Sequence, residues 1–164
     1  MRALTVRQPW AWAIVHGGKD VENRTRNVAG SYRGPVAIHA GLAVAEAGME
    51  SPLVLAAARE VDPEQPPVIH AFRRGWRRAE AAVGGAFIGV VDLVGVCLPG
   101  ACPDADGATC SPWCIPGHHH LWLSNPRPLP EPIPYRGNLG LWTPRRDGGD
   151  LDHVVIEQLQ AVTR

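Results

Sequence analysis

The run Gly17-Gly18-Lys19-Asp20-Val21-Glu22-Asn23-Arg24-Thr25-Arg26 gathers an ammonium, two carboxylates and two guanidinium groups in one short stretch. Lys19 is the only lysine in a chain whose other basic residues are all arginine. Its compact, strongly hydrated charge suits a phosphate, whereas the planar forks of Arg24 and Arg26 can grip a phosphate or stack on a base. Glu22 can accept hydrogen bonds from an exocyclic amine or a ribose hydroxyl. Trp10, Trp12 and Trp142 offer indole faces for a base, a contact worth about 1–3 kcal/mol. His39 can hydrogen-bond a phosphate or ribose. These are residue types that a ligand-binding pocket for a nucleotide, single-stranded nucleic acid or RNA can use. Each also has a plainer reading. Trp10 shares a helix face with Ala13 and Ile14, Glu22 and Arg24 can form an ion pair that closes a barrel, and a histidine on an apolar strand is commonly a core residue.

The same groups allow catalysis. A buried Lys19 with a lowered pKa is a general base, and Glu22 with Lys19 can activate water. That defines the alternative: a small hydrolase or ribonuclease acting on RNA or a modified nucleoside, with Lys19 and Glu22 as its catalytic pair.

A second cluster lies further on. Cys102, Cys110, Cys114 and His118 have spacings compatible with tetrahedral zinc, which favours sulfur and nitrogen ligands. They sit among Pro99, Gly100, Pro103, Gly107, Pro112 and Gly117, a loop that a structural zinc would stiffen. The spacing is not a standard pair of Cys-x-x-Cys motifs, and the reading of the pocket requires no cofactor.

The elements must position these groups. The chain of 164 residues suits one domain with a core of its own. Formal net charge is zero, which argues against bulk coating of nucleic acid but leaves room for a local basic site. No apolar run is long enough to cross a membrane or resembles a secretory signal, so the expected location is the cytoplasm, with cysteines as thiols or metal ligands. Ala3–Val6 reads as a first strand and Trp10–His16 as a helix opened by Pro9 and ended by Gly17-Gly18. Lys19–Arg26 and Pro35–His39 read as strands, and 42–48 and 52–61 as helices. Residues 62–85, with Arg73-Arg74-Gly75-Trp76-Arg77-Arg78, read as a solvated loop or helix, or else as a basic contact with a nucleic-acid backbone. Ala86–Leu98 is a long apolar strand interrupted by Gly89, Gly95 and the lone charge of Asp92. His119–Ser124 is another strand, Pro126–Pro134 is too proline-rich for a central one, and 137–142 resumes extended structure. A helix capped by Asp150 follows, its apolar stripe formed by Leu151, Val154, Val155, Leu159 and Val162.

These segments resemble a family. Leu4-Thr5-Val6-Arg7-Gln8-Pro9-Trp10 followed by Gly17, Lys19, Glu22 and Arg24 is similar to the ASCH pattern G-x-K-x-x-E-x-R. The segment from Tyr32-Arg33-Gly34 to Ile38-His39-Ala40 and the closing Pro132-Ile133-Pro134-Tyr135-Arg136-Gly137-Asn138-Leu139-Gly140-Leu141-Trp142 extend the likeness, which covers about residues 3–40 and 86–142. The resemblance implies an α+β fold: a single domain built on a small PUA-like β-barrel with flanking helices and a helical insertion at 41–85. It implies a pocket beside the motif and a role with RNA, nucleotides or modified nucleosides. The amide-hydrolysing branch of that family carries a threonine nucleophile where this chain has Glu22, a departure that counts against that activity.

Overall fold

The computed structural model describes residues 1–61, 83–101 and 111–163. It is an α+β structure built on one mixed six-stranded sheet that curls into a half-barrel. The strands are β1 (Arg2–Gln8), β2 (Val21–Arg24), β3 (Gly34–Val44), β4 (Ala86–Cys97), β5 (His119–Pro134) and β6 (Leu141–Trp142). Their order is β2-β5-β4-β3-β1-β6, with β1 parallel to β3 and every other pairing antiparallel. The helices are α1 (Trp10–His16), α2 (Glu46–Met49), α3 (Pro52–Val61) and α4 (His153–Ala161).

Alternation along the strands distributes side chains to two cores. Leu4, Val6, Val36, Ile38, Val91 and Leu93 face α1, while Ala3, Ala37, Phe87, Val90 and Trp142 face the other way, onto Val155 and Leu159 of α4. The alternation breaks within β4. Phe87 and Val90, an odd number of positions apart, share one core because the register with both neighbouring strands slips there. One extra residue in a strand does this, and Gly89 occupies the kink. A Cβ on Gly89 would lie 2.7 Å from Val15 Cγ1 of α1 and 3.0 Å from the Arg127 carbonyl oxygen, so the bend is also the notch into which α1 settles.

Helix α1 is buried almost all round. Ala11, Ile14 and Val15 meet the sheet, and Trp12 and Ala13 meet Val54, Ala57 and Ala58 of α3. Gln8 fixes its start: Gln8 Oε1 accepts from Trp12 N at 3.0 Å, and Gln8 Nε2 donates to the Val83 carbonyl at 2.9 Å. Asp92 is explained by Arg127, whose two terminal nitrogens donate to its carboxylate at 2.6 and 3.0 Å. That guanidinium holds the Asp92 carboxyl below its ordinary value.

Three sequence expectations change. The run 42–48 is not one helix. Gln8 pairs with Val44 and the Gln8 carbonyl accepts from Ala45 N, so β3 continues to Val44 and only Glu46–Met49 turns helical. The strand expected over His119–Ser124 runs on through the prolines of 126–134, which are in an edge strand and not a central one, as their composition requires. Strand β2 pairs only with His119–Trp122, and Leu123 N still donates to the Asp20 carbonyl at 2.8 Å; beyond Leu123, β4 is the strand paired with β5. A proline on an edge can turn its missing donor to the unpaired side. Lastly, α4 is capped by Asp152 rather than Asp150, with Asp152 Oδ1 accepting from Val155 N, and Leu151 and Val154 are exposed. Of the span 41–85, residues 41–44 belong to β3 and 46–61 hold two helices, whereas 62–82, with the Arg73–Arg78 run, lies outside the described residues. Among the described residues no helix is long and apolar enough to cross a membrane.

Candidate functional site

Lys19 follows the Gly17-Gly18 end of α1, where Lys19 N donates to the Ala13 carbonyl at 2.9 Å, and Glu22 and Arg24 follow on β2. Gly18, at φ +68, lets the chain reverse there. The ammonium of Lys19, on a residue only 4% exposed, donates to the Val21 carbonyl and lies 3.2 Å from Glu22 Oε2. Glu22 Oε1 lies 3.2 Å from Arg24 Nη2. The carboxylate is therefore gripped by a cation at each oxygen, which offsets the cost of burying Lys19 and Glu22.

Above this triad is a cavity of about 260 Å³, walled by Trp10, Lys19, Glu22, Asn23, Leu53 and Trp113 among others. Lys19 Nζ is 5.9 Å from the centre of the Trp10 ring, a cation–π distance. Trp113 meets Trp10 edge-on, with ring centres 6.4 Å apart and planes at 89°. Among the described residues two of the three ammonium donors are engaged, one by the Val21 carbonyl and one by Glu22. The far wall is pinned to β2: Asn23 Nδ2 donates to the Trp113 carbonyl at 2.9 Å, and Asn23 Oδ1 accepts from Ile115 N at 2.9 Å. Ser111 Oγ adds a bond to Asp20 Oδ1.

The residues singled out in the sequence divide into two groups. Trp10, Lys19 and Glu22 line this cavity, with Arg24 behind Glu22. Trp12 is buried in the α1–α3 contact, and Arg26 is exposed beyond the end of β2. His39 and Trp142 belong to a different neighbourhood, with ring centres 6.0 Å apart beside Phe87. His39 is 2% exposed; its Nε2 contacts the Tyr135 carbonyl at 2.8 Å and its Nδ1 has no hydrogen-bond partner among the described residues. Burial pushes its pKa below the usual histidine value, against the pull of the Tyr135 carbonyl.

Arg24 has a second task. Its Nη2 donates to the Thr5 carbonyl at 2.8 Å, tying β2 at one end of the sheet order to β1 near the other. The ion-pair and barrel-closing reading of Arg24 is thus present in the geometry alongside its place behind the cavity.

Of the metal candidates, Cys102 and Cys110 lie outside the described residues. Cys114 lines the cavity, and His118 Nδ1 contacts the Pro116 carbonyl at 3.3 Å. Among the described residues no group of three His, Cys, Asp or Glu is placed to hold a metal.

Sequence reasoning missed Trp113 and Asn23. Trp113 stands in a loop rich in proline and glycine, where an aromatic has no element-level reason to be, and that was the available signal. Its proximity to Trp10, about a hundred residues earlier, is a tertiary fact. No protein-family model matches the chain, and no curated protein matches it.

Proposed function

We propose that this protein is a binding module of the ASCH, PUA-like type that takes one base or nucleoside of an RNA or other single-stranded nucleic acid, or a free nucleotide, into the Trp10–Lys19–Trp113 cavity. The observation that carries the reading is a nearly buried ammonium beside the Trp10 ring and the Glu22 carboxylate, in the wall of a cavity of about 260 Å³ that Trp113 also lines. That volume lies just below the range of drug-sized sites, about 300–1,000 Å³, which suits a single base with part of its sugar. The indoles supply stacking or edge contacts, Lys19 donates to a base carbonyl or an inner phosphate oxygen, and Glu22 accepts from an exocyclic amine. Single-stranded or splayed bases are the natural ligands, because only they expose a face and a hydrogen-bonding edge together.

The hydrolase alternative draws less support. Each oxygen of Glu22 already has a cationic partner, and two donors of Lys19 are engaged. This arrangement holds groups still for recognition. Incubation with RNA and with acylated nucleosides, with and without divalent metal, tests it directly: product formation lost in Lys19→Ala would establish an enzyme.

The binding reading is tested by titrating single-stranded RNA and nucleoside monophosphates into the protein and into Lys19→Ala. The variant should weaken binding about tenfold or more and reduce the salt dependence of RNA affinity by about one phosphate contact. Affinity and salt slope equal to those of the parent would remove the cavity from the account.

A further inference from the structure

A second concavity, of about 740 Å³, opens at the β6 end of the sheet. Its polar rim carries Arg136, Arg145 and Arg146, and its floor is aromatic: Trp142 and Tyr135 stack with planes at 20° and ring centres 6.0 Å apart. Two carboxylates also line it. Asp152 is committed, because it caps α4, lies 3.6 Å from Arg146 Nε and is within 3.4 Å of the Tyr135 hydroxyl. Asp147 is the remaining negative group. Arg136 is exposed and has no ion pair or hydrogen bond among the described residues. Arg2 adds positive charge at the edge, donating to Thr143 Oγ1 at 3.2 Å.

The wall of this cleft is tied to the first cavity through one residue. Thr5 Oγ1 accepts from Asn138 N and from Trp142 Nε1, each at 3.2 Å. The Thr5 carbonyl accepts from Arg24, the cation behind Glu22. Gly137 forms part of the same wall. A Cβ there would lie 2.8 Å from His39 Nδ1 and 2.9 Å from Thr5 Oγ1, so the unpartnered nitrogen of a buried histidine faces the backbone of a cleft-lining residue.

We infer that this arginine cleft binds the phosphodiester backbone of the same nucleic-acid strand whose base enters the Lys19 cavity, making the ligand an extended single strand rather than a free nucleotide. The inference rests on the nucleic-acid reading of that cavity. Three guanidinium groups line a concavity larger than the first: Arg145 is held by the Gly149 carbonyl and Arg146 by Asp152, while Arg136 is exposed. Two fixed cations and one mobile one, beside the half-buried ring of Tyr135, match the demands of backbone tracking. The 260 Å³ cavity has room for one nucleoside at most, and continuation of the strand requires a second positive surface. Thr5, held at its carbonyl by one site and at its hydroxyl by the other, fixes the spacing between them.

The test compares a nucleoside monophosphate with single-stranded RNA of about eight nucleotides, binding to the parent, Arg136→Glu, Arg136→Lys and Lys19→Ala. Arg136 is exposed and unpartnered, so its replacement leaves folding intact, which a melting curve verifies. Arg136→Glu should weaken the oligonucleotide about tenfold and lower its log–log salt slope by about 0.7 per lost phosphate contact, leave the monophosphate unchanged, and be rescued by Arg136→Lys. Equal oligonucleotide affinity and slope in Arg136→Glu and parent, with the monophosphate still dependent on Lys19, overturns the cleft and leaves the cavity reading standing. Oligonucleotide binding that depends on Arg136 but not on Lys19, with no monophosphate bound, upholds the cleft as a backbone site and overturns the cavity reading and the shared strand.

Discussion

Glu22 is the residue on which the buried charges depend. Its two oxygens face Lys19 and Arg24, each at 3.2 Å, and its side chain is 11% exposed. Removing the carboxylate leaves an ammonium in a nearly closed site with the Val21 carbonyl and the Trp10 ring but no counter-charge among the described residues, and an uncompensated buried charge is costly. Glu22→Gln should therefore destabilise the fold by about 3 kcal/mol, read as a fall in denaturation midpoint; a loss below about 0.5 kcal/mol would mean that water reaches Lys19 freely. His39 supplies a pH dependence. Its folded pKa lies below the ordinary 6.5 because burial disfavours the imidazolium. As pH falls through 6.5 the unfolded chain takes up a proton that the folded chain refuses, so stability held above that value declines on acidification. Melting temperature should drop between pH 7 and pH 5, and His39→Gln should flatten that part of the profile; an unchanged slope in the variant would assign the acid sensitivity elsewhere.

At the scale of elements, β4 and β5 depart most from simple strand rules. Gly89 reads in the sequence as a bend, and the structure adds its purpose: the slip in register reverses which residues face α1, and the missing side chain admits Val15. Gly89→Ala should cost about 1–3 kcal/mol through overpacking, measured by chemical denaturation; neutrality would show that α1 can lift away from the sheet. The edge position of the β5 prolines follows the same logic. Their composition forbids a place between two strands but not beside one, and no local feature announces that β2 stops after four residues.

At the scale of the molecule, α1 lies between the sheet and α3, and α4 covers the opposite face. The half-barrel is drawn together by Arg24 reaching Thr5. One guanidinium thus serves both the charge triad and the closure. The two concavities open on regions joined by β1, the strand that contributes Thr5.

Local pattern alone specified α1, with its proline start and paired-glycine end, and also α3, the apolar length of β4, and the grouping of Lys19, Glu22 and Arg24. Those depend on near neighbours: turn residues, side-chain periodicity and charges a few positions apart. Tertiary structure alone decided that Trp113 joins Trp10, that Trp142 lines a second cleft with His39 buried beside it, and that Arg24 closes the sheet on Thr5. Each is a contact between residues distant in the chain, set by which strands pair and in what register. One slip in that register, as at Gly89, changes which side chains share a face.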